Sequence, residues 1–374
     1  MSQSKDDYKL EDIVLGALFV AGQSRNVRIN YDKLYEVGRK YSKDDLQLPK
    51  WDAPVFPERS NKDTLDFILL GNAINFAFND FKTGEKYLYK YKDVPFKGAY
   101  GMWAALKSVL DKGTPILDGS YLENLTEIEA KKIFNKDSQI PMLNERVKIL
   151  NEVGSVLNKH YAGHFYNVVA AANGYVFNKG EGLVERLVRD FPSFRDDWNY
   201  NGKRVAFAKR AQLAAAMIYE NLLPEVKIFR DGQFERLTVF ADYELPKALR
   251  SMEILEYSPQ LADKIDKGEL IPAGSNEEIE IRGCTIAATD ELVKFINYTR
   301  GSNDESSFHF IRHLAVTDKL LKFLNGAWGS NDESSFRPIK HSNKVTAPHI
   351  DYKLWEEGRN YKDAKAHMTI TTAY

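Results

Sequence analysis

Cysteine, net charge and long apolar runs are all scarce in this sequence. Cys284 is the single cysteine among 374 residues, so no disulfide forms within the chain, and a lone thiol is typical of a reducing, cytoplasmic setting. The 52 Lys and Arg residues nearly balance the 53 Asp and Glu residues, which leaves no overall positive field to hold long nucleic acid. Residues 13–22 form an apolar run too short to span a bilayer, so we expect a buried helix there and no membrane partner.

Signature motifs of several large enzyme classes are also missing. The sequence contains no phosphate-binding loop, no glycine-rich dinucleotide fingerprint after a strand and no nucleophile elbow, which disfavours kinase, dehydrogenase and hydrolase templates. Two histidine pairs, His160 with His164 and His309 with His313, have the four-residue spacing of zinc ligands on a helix. Neither pair has an acidic or cysteine ligand at a typical spacing. We therefore interpret them as surface or packed histidines and predict no metal and no organic cofactor.

Helical periodicity accounts for most of the patterned sequence. Strand-like alternation is limited to a few short stretches. The clearest helical stretches are residues 64–78, 144–161, 182–191 and 290–299, and the strand-like ones are residues 85–93, 225–229 and 277–286. This balance predicts a mainly α fold with a small β element.

The loop-like stretches are too short and too ordinary in composition to act as linkers between domains. They lie near residues 49–57, 111–120 and 191–203. We therefore expect one compact domain over residues 1–374, with room for two helical lobes and a site between them. The octapeptide GSNDESSF occurs twice, at residues 301–308 and 329–336, and its small, polar and acidic residues favour solvated loops.

Lys209 occupies an unusual place within the stretch GKRVAFAKRAQLAAAMIYENLL, residues 202–223. That stretch has the composition of a deeply packed helix. Lys209 lies between Val205 and Leu213 on a four-residue row of the expected helix, which would place its ammonium group on an apolar face. Such a lysine extends to solvent, pairs with a structural carboxylate or faces a ligand, and the pattern alone favours the first two alternatives.

Asp242 raises the same question, because Val239, Phe240 and Tyr243 are its neighbours in the sequence. An ionised carboxylate among apolar groups loses hydration, which costs free energy unless a hydrogen bond or a nearby cation compensates. The alternative is structural, since Pro246 favours a new helix whose start an aspartate would cap or turn. Each residue alone favours a structural role. A buried lysine and a buried aspartate together, however, indicate a partnered functional site.

Two short stretches, INFAF at residues 74–78 and GHFYN at residues 163–167, each combine aromatic residues with an asparagine. Aromatic faces stack on flat rings and side-chain amides bind ring edges, so both stretches are candidates for the walls of a nucleobase pocket. Core packing beside an asparagine at a helix end is the more common alternative for either stretch alone.

Four motifs, in one order, carry a resemblance to a known family. FPSFRD at residues 191–196, GKRVAFAKRAQ at 202–212, FADYELP at 240–246 and EIEIRGC at 278–284 together resemble the queuosine salvage protein family. The similarity runs from the INFAF stretch to the segments IDYKLWEEGRN and HMTITTAY, which is most of the chain. One departure follows His367, where relatives carry an arginine-containing tail and this chain has Met368, Thr369 and Ile370.

The resemblance implies a mainly helical fold related to helix-hairpin-helix DNA glycosylases, and a cofactor-free N-glycosylase activity. The implied substrate is a small molecule, queuosine 5′-monophosphate, whose hydrolysis gives ribose 5-phosphate and free queuine for tRNA modification. A mononucleotide substrate fits the net charge of −1. Two alternatives stay open at this point. One is a DNA glycosylase with a basic surface stripe, and the other is a helical protein that binds queuine or a nucleotide without cleaving it.

The resemblance also implies a chemical role for Asp242. Breaking an N-glycosidic bond develops positive charge at the anomeric carbon, which a fixed carboxylate stabilises or traps. Queuine has carbon where guanine has N7, so protonation of the leaving base is harder and more depends on the carboxylate. Lys209 would either pair with Asp242 or bind the 5′-phosphate, for which Arg204 and Arg210 are alternative ligands.

The remaining implied roles concern the base. Asp196, in the FPSFRD motif, is expected to accept hydrogen bonds from the base or from its cationic side arm. The expected walls of the base pocket are Asn75, Phe76, Phe165 and Tyr243.

Overall fold

Helix α1 (Ile13–Gln23) forms where the apolar run predicts a buried helix. The Asp12 side chain caps its first turn by accepting a hydrogen bond from the Leu15 backbone N–H at 2.9 Å. The computed structural model describes residues 10–42, 44–57, 62–222, 228–301, 344–361 and 363–374. Among the helices of those residues, none has both the length and the apolar content that a bilayer crossing needs.

The described residues form fourteen α-helices and six short strands, which confirms the expected mainly α fold with a small β element. The helices after α1 are α2 (Tyr31–Lys40), α3 (Lys62–Ala73), α4 (Ala99–Leu110), α5 (Gly119–Glu123), α6 (Glu127–Phe134), α7 (Leu143–His160), α8 (Phe165–Ala171), α9 (Leu183–Asp190), α10 (Lys209–Leu222), α11 (Glu244–Ser251), α12 (Pro259–Lys267), α13 (Asn276–Gly301) and α14 (Ala347–Asn360).

The strands form three separate antiparallel ribbons of two strands each. The pairs are β1 (Val27–Ile29) with β6 (Leu255–Tyr257), β2 (Leu88–Tyr91) with β3 (Val94–Lys97), and β4 (Asp197–Tyr200) with β5 (Lys203–Ala206). In the β4–β5 ribbon Asp197 lies opposite Ala206. The backbone N–H of Phe207 then donates to the carbonyl of Asp196 at 2.9 Å, so the ribbon brings Asp196 to the start of α10.

Several predicted elements form close to their expected bounds. Helix α7 covers the pattern at residues 144–161 except for the last residue, α9 covers the one at 182–191 except for its first and last residues, and β2 lies within residues 85–93. The helix predicted over residues 64–78 ends at Ala73, so the INFAF stretch is irregular.

Other predictions fall partly or wholly outside the described residues. These include most of the strand expected at residues 225–229, of which 228 and 229 are not strand. They also include His309, His313 and both copies of the octapeptide apart from Gly301.

The strand predicted at residues 277–286 is wrong, because this stretch belongs to helix α13. Its alternating Glu and Ile residues look like a half-buried strand. The glutamates are buried as well, since Glu280 accepts hydrogen bonds from Ser24 and Tyr200, and Glu278 pairs with Arg282. A helix that is buried on all sides, and whose acidic residues have partners inside the protein, can therefore show the alternation of polar and apolar residues that is typical of a strand.

The single helix predicted over residues 202–223 is also wrong in its first third. Residues 203–206 form β5, and the helix begins only at Lys209, so Val205 does not share a helical row with it. The Asn201-Gly202 dipeptide has positive φ angles of 48° and 79°, as a tight hairpin turn between β4 and β5 requires. This dipeptide lies within the loop-like stretch near residues 191–203, so the sequence carries a turn signal where the expected helix was to begin.

Helix α13 runs through the middle of the fold and packs against α1, α2, α11 and α14. Its Gly283 allows α1 to approach closely, because a Cβ at this position would lie 2.5 Å from Cγ1 of Val20. The neighbouring residue, Arg282, is fully buried. The packing of α13 thus carries one guanidinium group into the interior, between the segments that hold Lys209 and Asp242.

Candidate active site

Lys209 is the first residue of α10, and its side chain is almost completely buried. The preceding residue, Ala208, has a φ of 48°, a left-handed conformation that turns the chain sharply from β5 into the helix. The Lys209 backbone N–H donates to Oδ2 of Asp196 at 3.1 Å. Asp196 therefore caps α10 and fixes the point from which the lysine side chain leaves the backbone.

Asp242 lies opposite this lysine, two residues before α11 begins at Glu244. Its Oδ1 accepts a hydrogen bond from the Glu244 backbone N–H at 2.8 Å, and its Oδ2 lies 3.7 Å from Nζ of Lys209. Asp242 can therefore have a structural and a functional role at once, because Oδ1 bonds to the backbone and Oδ2 faces the lysine. The Lys209 side chain is 7% exposed and the Asp242 side chain 17% exposed, so both charges are largely removed from water.

Gln212 holds the segment before Asp242 against α10. Its side-chain amide donates to the hydroxyl of Thr238 at 2.9 Å and accepts from the Thr238 backbone N–H at the same distance. All three groups are buried. This two-way bond joins the backbone four residues before Asp242 to the helix that begins with Lys209, which limits how far the two charges can separate.

Asp351, on the second turn of α14, is an acid that the sequence analysis missed. Its Oδ2 accepts a hydrogen bond from the Phe240 backbone N–H at 2.6 Å. Asp351 follows the fully buried Ile350 and precedes the fully buried Leu354 by three residues. An aspartate beside the apolar face of an amphipathic helix was the available signal.

The three side chains influence each other's protonation. Burial raises the pKa of Asp242, against the opposing effects of Lys209 and of the hydrogen bond from Glu244. Burial also raises the pKa of Asp351 well above its ordinary value, and repulsion from Asp242 adds to the increase. Burial lowers the pKa of Lys209, while attraction to Asp242 and Asp351 opposes that change. One cation between two acids favours a state in which one of the acids holds a proton.

Asp196 is placed differently from its expected role. Its Oδ1 and Oδ2 accept hydrogen bonds from Nη1 and Nη2 of Arg282 at 2.7 and 2.6 Å, and Oδ2 also accepts from the Lys209 backbone N–H. Both carboxylate oxygens are thus engaged inside the protein. This geometry favours a structural role for Asp196 over recognition of a substrate base.

Phe76 also differs from its expected role as a pocket wall. The ring is fully buried, and the guanidinium carbons of Arg146 and Arg210 lie 4.3 and 5.4 Å from its centre. Arg210 donates hydrogen bonds to the carbonyls of Ala73 and Ser193, so it has internal partners as well. The prediction that Phe76 stacks on a base and the alternative that Arg210 binds phosphate are both disfavoured by these contacts.

The other predicted residues each have their own local contacts. Tyr243 adjoins Asp242 and is half-buried. The buried Asn75 follows α3 and donates to Oδ1 of Asn72 at 3.2 Å. Phe165 packs against Phe191 with ring centres 5.3 Å apart. Arg204, on β5, contacts Glu11 at 3.4 Å and Asp197 at 3.8 Å.

The residues around α8 have an electrostatic arrangement of their own. Nδ1 of His164 lies 3.1 Å from Oδ2 of Asp66, whose Oδ1 accepts from the Tyr166 backbone N–H at 2.6 Å. Burial raises the pKa of Asp66 to about 6. His164 therefore packs against an acid, in agreement with the interpretation as a packed histidine.

Two open clefts occur elsewhere on the described surface. One of about 430 Å³ lies between α2 and α14 and is lined by Tyr41 and Glu357 among others. The other, of about 790 Å³, is lined by His160, Arg186 and Arg189 among others. Neither has Lys209 or Asp242 in its lining. The Lys209–Asp242 pair therefore lies outside both of these clefts.

Comparisons with known proteins identify the family of this chain. The family model described as queuosine salvage protein matches residues 55–374. A queuosine 5′-phosphate N-glycosylase/hydrolase from Sphaerobacter thermophilus is 35% identical over 275 residues, which cover 73% of this chain and 82% of that protein. The protein of the same name from Mus musculus is 33% identical over 285 residues, covering 72% and 80%. The one from Schizosaccharomyces pombe is 28% identical over 302 residues, covering 76% and 86%. The chain belongs to the queuosine salvage protein family.

Proposed function

We propose that this protein hydrolyses the N-glycosidic bond of queuosine 5′-monophosphate and releases queuine and ribose 5-phosphate. The observation that carries this proposal is the buried pair of Lys209 and Asp242, 3.7 Å apart, with Asp351 beside it. The names of the relatives supply the substrate class, since the proteins that align over most of this chain are called queuosine 5′-phosphate N-glycosylases/hydrolases. Queuine released in this way would be available for tRNA modification.

Asp242 is the group that we assign to the developing positive charge. As the bond between C1′ and the base lengthens, the sugar becomes oxocarbenium-like, and a carboxylate in a poorly hydrated site stabilises that charge strongly. We assign this role to Oδ2, because Oδ1 accepts the hydrogen bond from the Glu244 backbone N–H. Lys209 would keep Asp242 ionised before substrate binds, since its ammonium opposes the pKa increase that burial causes. This pairing supports the catalytic role of Lys209 over the alternative in which it binds the phosphate.

Asp351 is the group that we assign to the leaving base. Burial and repulsion from Asp242 favour its protonated form, which is the form that a general acid needs. The proton would pass to the base nitrogen as that atom takes the bonding electron pair. The ionised Asp351 would then accept a proton from the water that adds to C1′. Each turnover consumes one water and returns both acids to their starting states.

The binding roles are less constrained than the chemical ones. We assign Tyr243 to the base pocket, because it is half-buried and adjoins Asp242. Asn75 and Phe165 are the further candidates for contacts with the base. For the 5′-phosphate we keep Arg204 as the candidate, because its side chain is 28% exposed, whereas Arg210 donates to the carbonyls of Ala73 and Ser193. We further propose a single cytoplasmic domain, related in fold to helix-hairpin-helix DNA glycosylases, that acts without metal, organic cofactor or long nucleic acid.

The test is incubation of the purified protein with queuosine 5′-monophosphate, queuosine nucleoside and guanosine 5′-monophosphate, followed by mass spectrometry of the free base. We expect queuine mainly from queuosine 5′-monophosphate, and none when Asp242→Asn replaces the wild type. Tight binding of queuine without cleavage would instead indicate a binding protein. Base release from duplex DNA at low salt would indicate a DNA glycosylase. Either of these outcomes would overturn the proposal.

A further inference from the structure

We infer that Arg282 is a positioning residue that sets the spacing between Lys209 and Asp242. This inference rests on the proposed function, because the Lys209–Asp242 pair is the chemical centre of that function. Arg282 is fully buried on α13 and contacts neither charged atom of the pair. Its guanidinium group instead bonds to the backbone directly before Asp242 and to Asp196, the residue that caps the helix of Lys209.

The first connection runs through Asp196 to Lys209. Nη1 and Nη2 of Arg282 donate to the two carboxylate oxygens of Asp196 at 2.7 and 2.6 Å. Oδ2 of the same carboxylate accepts from the Lys209 backbone N–H at 3.1 Å. A bidentate bond of this kind fixes the plane of a carboxylate as well as its position. Arg282 therefore orients the cap from which Lys209 begins α10.

The second connection runs to Asp242. Nε of Arg282 donates to the carbonyl of Ala241 at 3.0 Å, and Ala241 directly precedes Asp242 in the chain. The same planar group thus contacts both sides of the pair, with Nε toward one and the Nη atoms toward the other. Because the guanidinium is rigid, the separation of these two backbone segments follows from its shape.

The guanidinium is itself held in place from several directions. The rings of Phe207 and Tyr374 lie 4.2 and 4.4 Å from its central carbon. Glu278, one turn earlier on α13, contacts Nη1 at 3.2 Å. The Tyr374 hydroxyl in turn lies 3.0 Å from Nε2 of the buried His367. A lysine could carry the same charge here, but it offers no fork for Asp196 and Ala241 together.

A change of spacing has a measurable consequence at Asp242. The charged groups that act on this carboxylate are Lys209 on α10, Glu244 on α11 and Asp351 on α14. Lys209 opposes the increase in the pKa of Asp242 and the charge of Glu244 adds to it, while Asp242 in turn raises the pKa of Asp351. If Lys209 moves away from Asp242, the pKa of Asp242 rises, and the acid limb of the pH profile of kcat moves to higher pH. Misplacement by about 1 Å also lowers turnover by about 100-fold.

The experiment compares Arg282→Lys with the wild type and with Arg189→Lys as matched control. Arg189 also forms a two-point bond to an aspartate, with Nε 3.0 Å and Nη2 3.1 Å from the oxygens of Asp190. That bond touches neither Lys209 nor Ala241. For Arg282→Lys we expect a kcat lower by about 100-fold, little change in KM and an acid limb of kcat shifted to higher pH. Arg189→Lys should keep the wild-type kcat and pH profile.

A second pair of variants applies if Arg282→Lys does not fold. Tyr374→Phe keeps a ring over the guanidinium, whereas Tyr374→Leu removes it. We expect Tyr374→Phe to retain most of the turnover and Tyr374→Leu to lose a substantial part, with its acid limb shifted. Equal kcat values for these two variants would overturn the inference. An Arg282→Lys variant with wild-type turnover, or with lower turnover but an unchanged pH profile, would overturn it as well.

Titration without substrate separates this inference from the proposed function. The carboxyl carbon of Asp242 can be followed by ¹³C NMR and assigned by its disappearance in Asp242→Asn. A higher apparent pKa of Asp242 in Arg282→Lys than in Arg189→Lys would support positioning even if the wild type released no queuine. An identical titration in the two variants would overturn the positioning role even if the wild type were fully active.

Discussion

Asp351 accepts a hydrogen bond of 2.6 Å from the backbone N–H of Phe240, two residues before Asp242. The second acid thus holds the segment on which the first one lies. Because of this bond, a shift of α14 would displace the segment before Asp242 as well, so the two carboxyl groups would move in the same direction. We regard this bond as the reason that Asp242 and Asp351 form a stable arrangement beside Lys209, even though burial and mutual repulsion oppose two ionised acids there.

Asp242→Asn should preserve the fold and remove turnover. The amide oxygen can still accept the bond from the Glu244 backbone N–H, so α11 keeps its first turn, but the negative charge is lost. We expect kcat to fall by about 1,000-fold or more with little change in KM. Asp263→Asn, at a surface ion pair with Lys267, is the control. A near-normal kcat for Asp242→Asn would remove this residue from the chemical step.

Lys209→Met should lower kcat and shift the pH profile. The variant keeps an apolar side chain of similar length and leaves Asp242 without the cation that opposes its pKa increase. Asp242 therefore becomes ionised only at higher pH, and the acid limb of kcat/KM should move upward. The surface variant Lys267→Met serves as control. A raised KM with an unchanged kcat would show that Lys209 binds the phosphate instead.

Asp351→Asn should remove the alkaline limb of the activity profile. In the wild type the proposed general acid loses its proton as the pH rises through its raised pKa, so kcat falls toward high pH. The asparagine oxygen can still accept from Phe240, which preserves the local backbone. We expect a low and nearly pH-independent kcat on that side of the profile. Retention of the wild-type alkaline limb would exclude Asp351 as the acid.

Asp66→Asn should flatten the dependence of stability on pH. Burial raises the folded pKa of Asp66 from 3.8 to about 6. The native state therefore binds more protons than the unfolded state between these values, so the stability that this carboxyl contributes at low pH is lost as the pH rises. At about 1.4 kcal/mol per pKa unit, the loss amounts to roughly 2–3 kcal/mol. Thermal unfolding of Asp66→Asn should lack this decrease.

The exposed Asp63, on the same helix, provides the control for that measurement. Asp63→Asn should follow the wild-type curve of Tm against pH. If Asp66→Asn and Asp63→Asn give the same curve, Asp66 does not have a raised pKa in the folded protein.

Two glycine substitutions should change stability in opposite directions. A Cβ at Gly71 would lie 1.8 Å from Cζ3 of Trp103, where α3 packs against α4, whereas a Cβ at Gly22 on α1 would meet nothing within 4 Å. Gly71→Ala should destabilise the protein by about 1–3 kcal/mol. Gly22→Ala should stabilise it by about 0.5–1 kcal/mol, because alanine loses less backbone entropy in a helix. Denaturant unfolding measures both, and a stable Gly71→Ala would contradict the close α3–α4 packing.

Local patterns predicted the helices well where one face is apolar and the other polar, as in α7 and α9. They failed where burial is complete. Helix α13 carries Glu278, Glu280 and Arg282 inside the protein, and nothing in its own sequence reveals that their partners come from distant segments. The same limit explains Asp196, whose motif was recognised while its bond to Arg282, 86 residues later in the chain, was not.

The pair of Lys209 and Asp242 was predictable for a different reason. Both residues lie among apolar neighbours, and a charge in such surroundings needs a partner of opposite sign. Asp351 was missed because α14 also has polar positions, so an aspartate there looks like part of the solvated face. For Phe76, an aromatic residue beside an asparagine fits a core position more often than a pocket wall, and its contacts with Arg146 and Arg210 favour the core position as well.

The bond between Phe240 and Asp351 joins residues 111 positions apart. Contacts between such distant positions require closure of long loops, which is entropically costly and slow compared with helix formation. No short peptide from this chain contains Lys209, Asp242, Arg282 and Asp351 together. A single motif grafted onto another scaffold would therefore lack the neighbouring charges that set the pKa of its charged residue. The proposed chemistry depends on the whole fold.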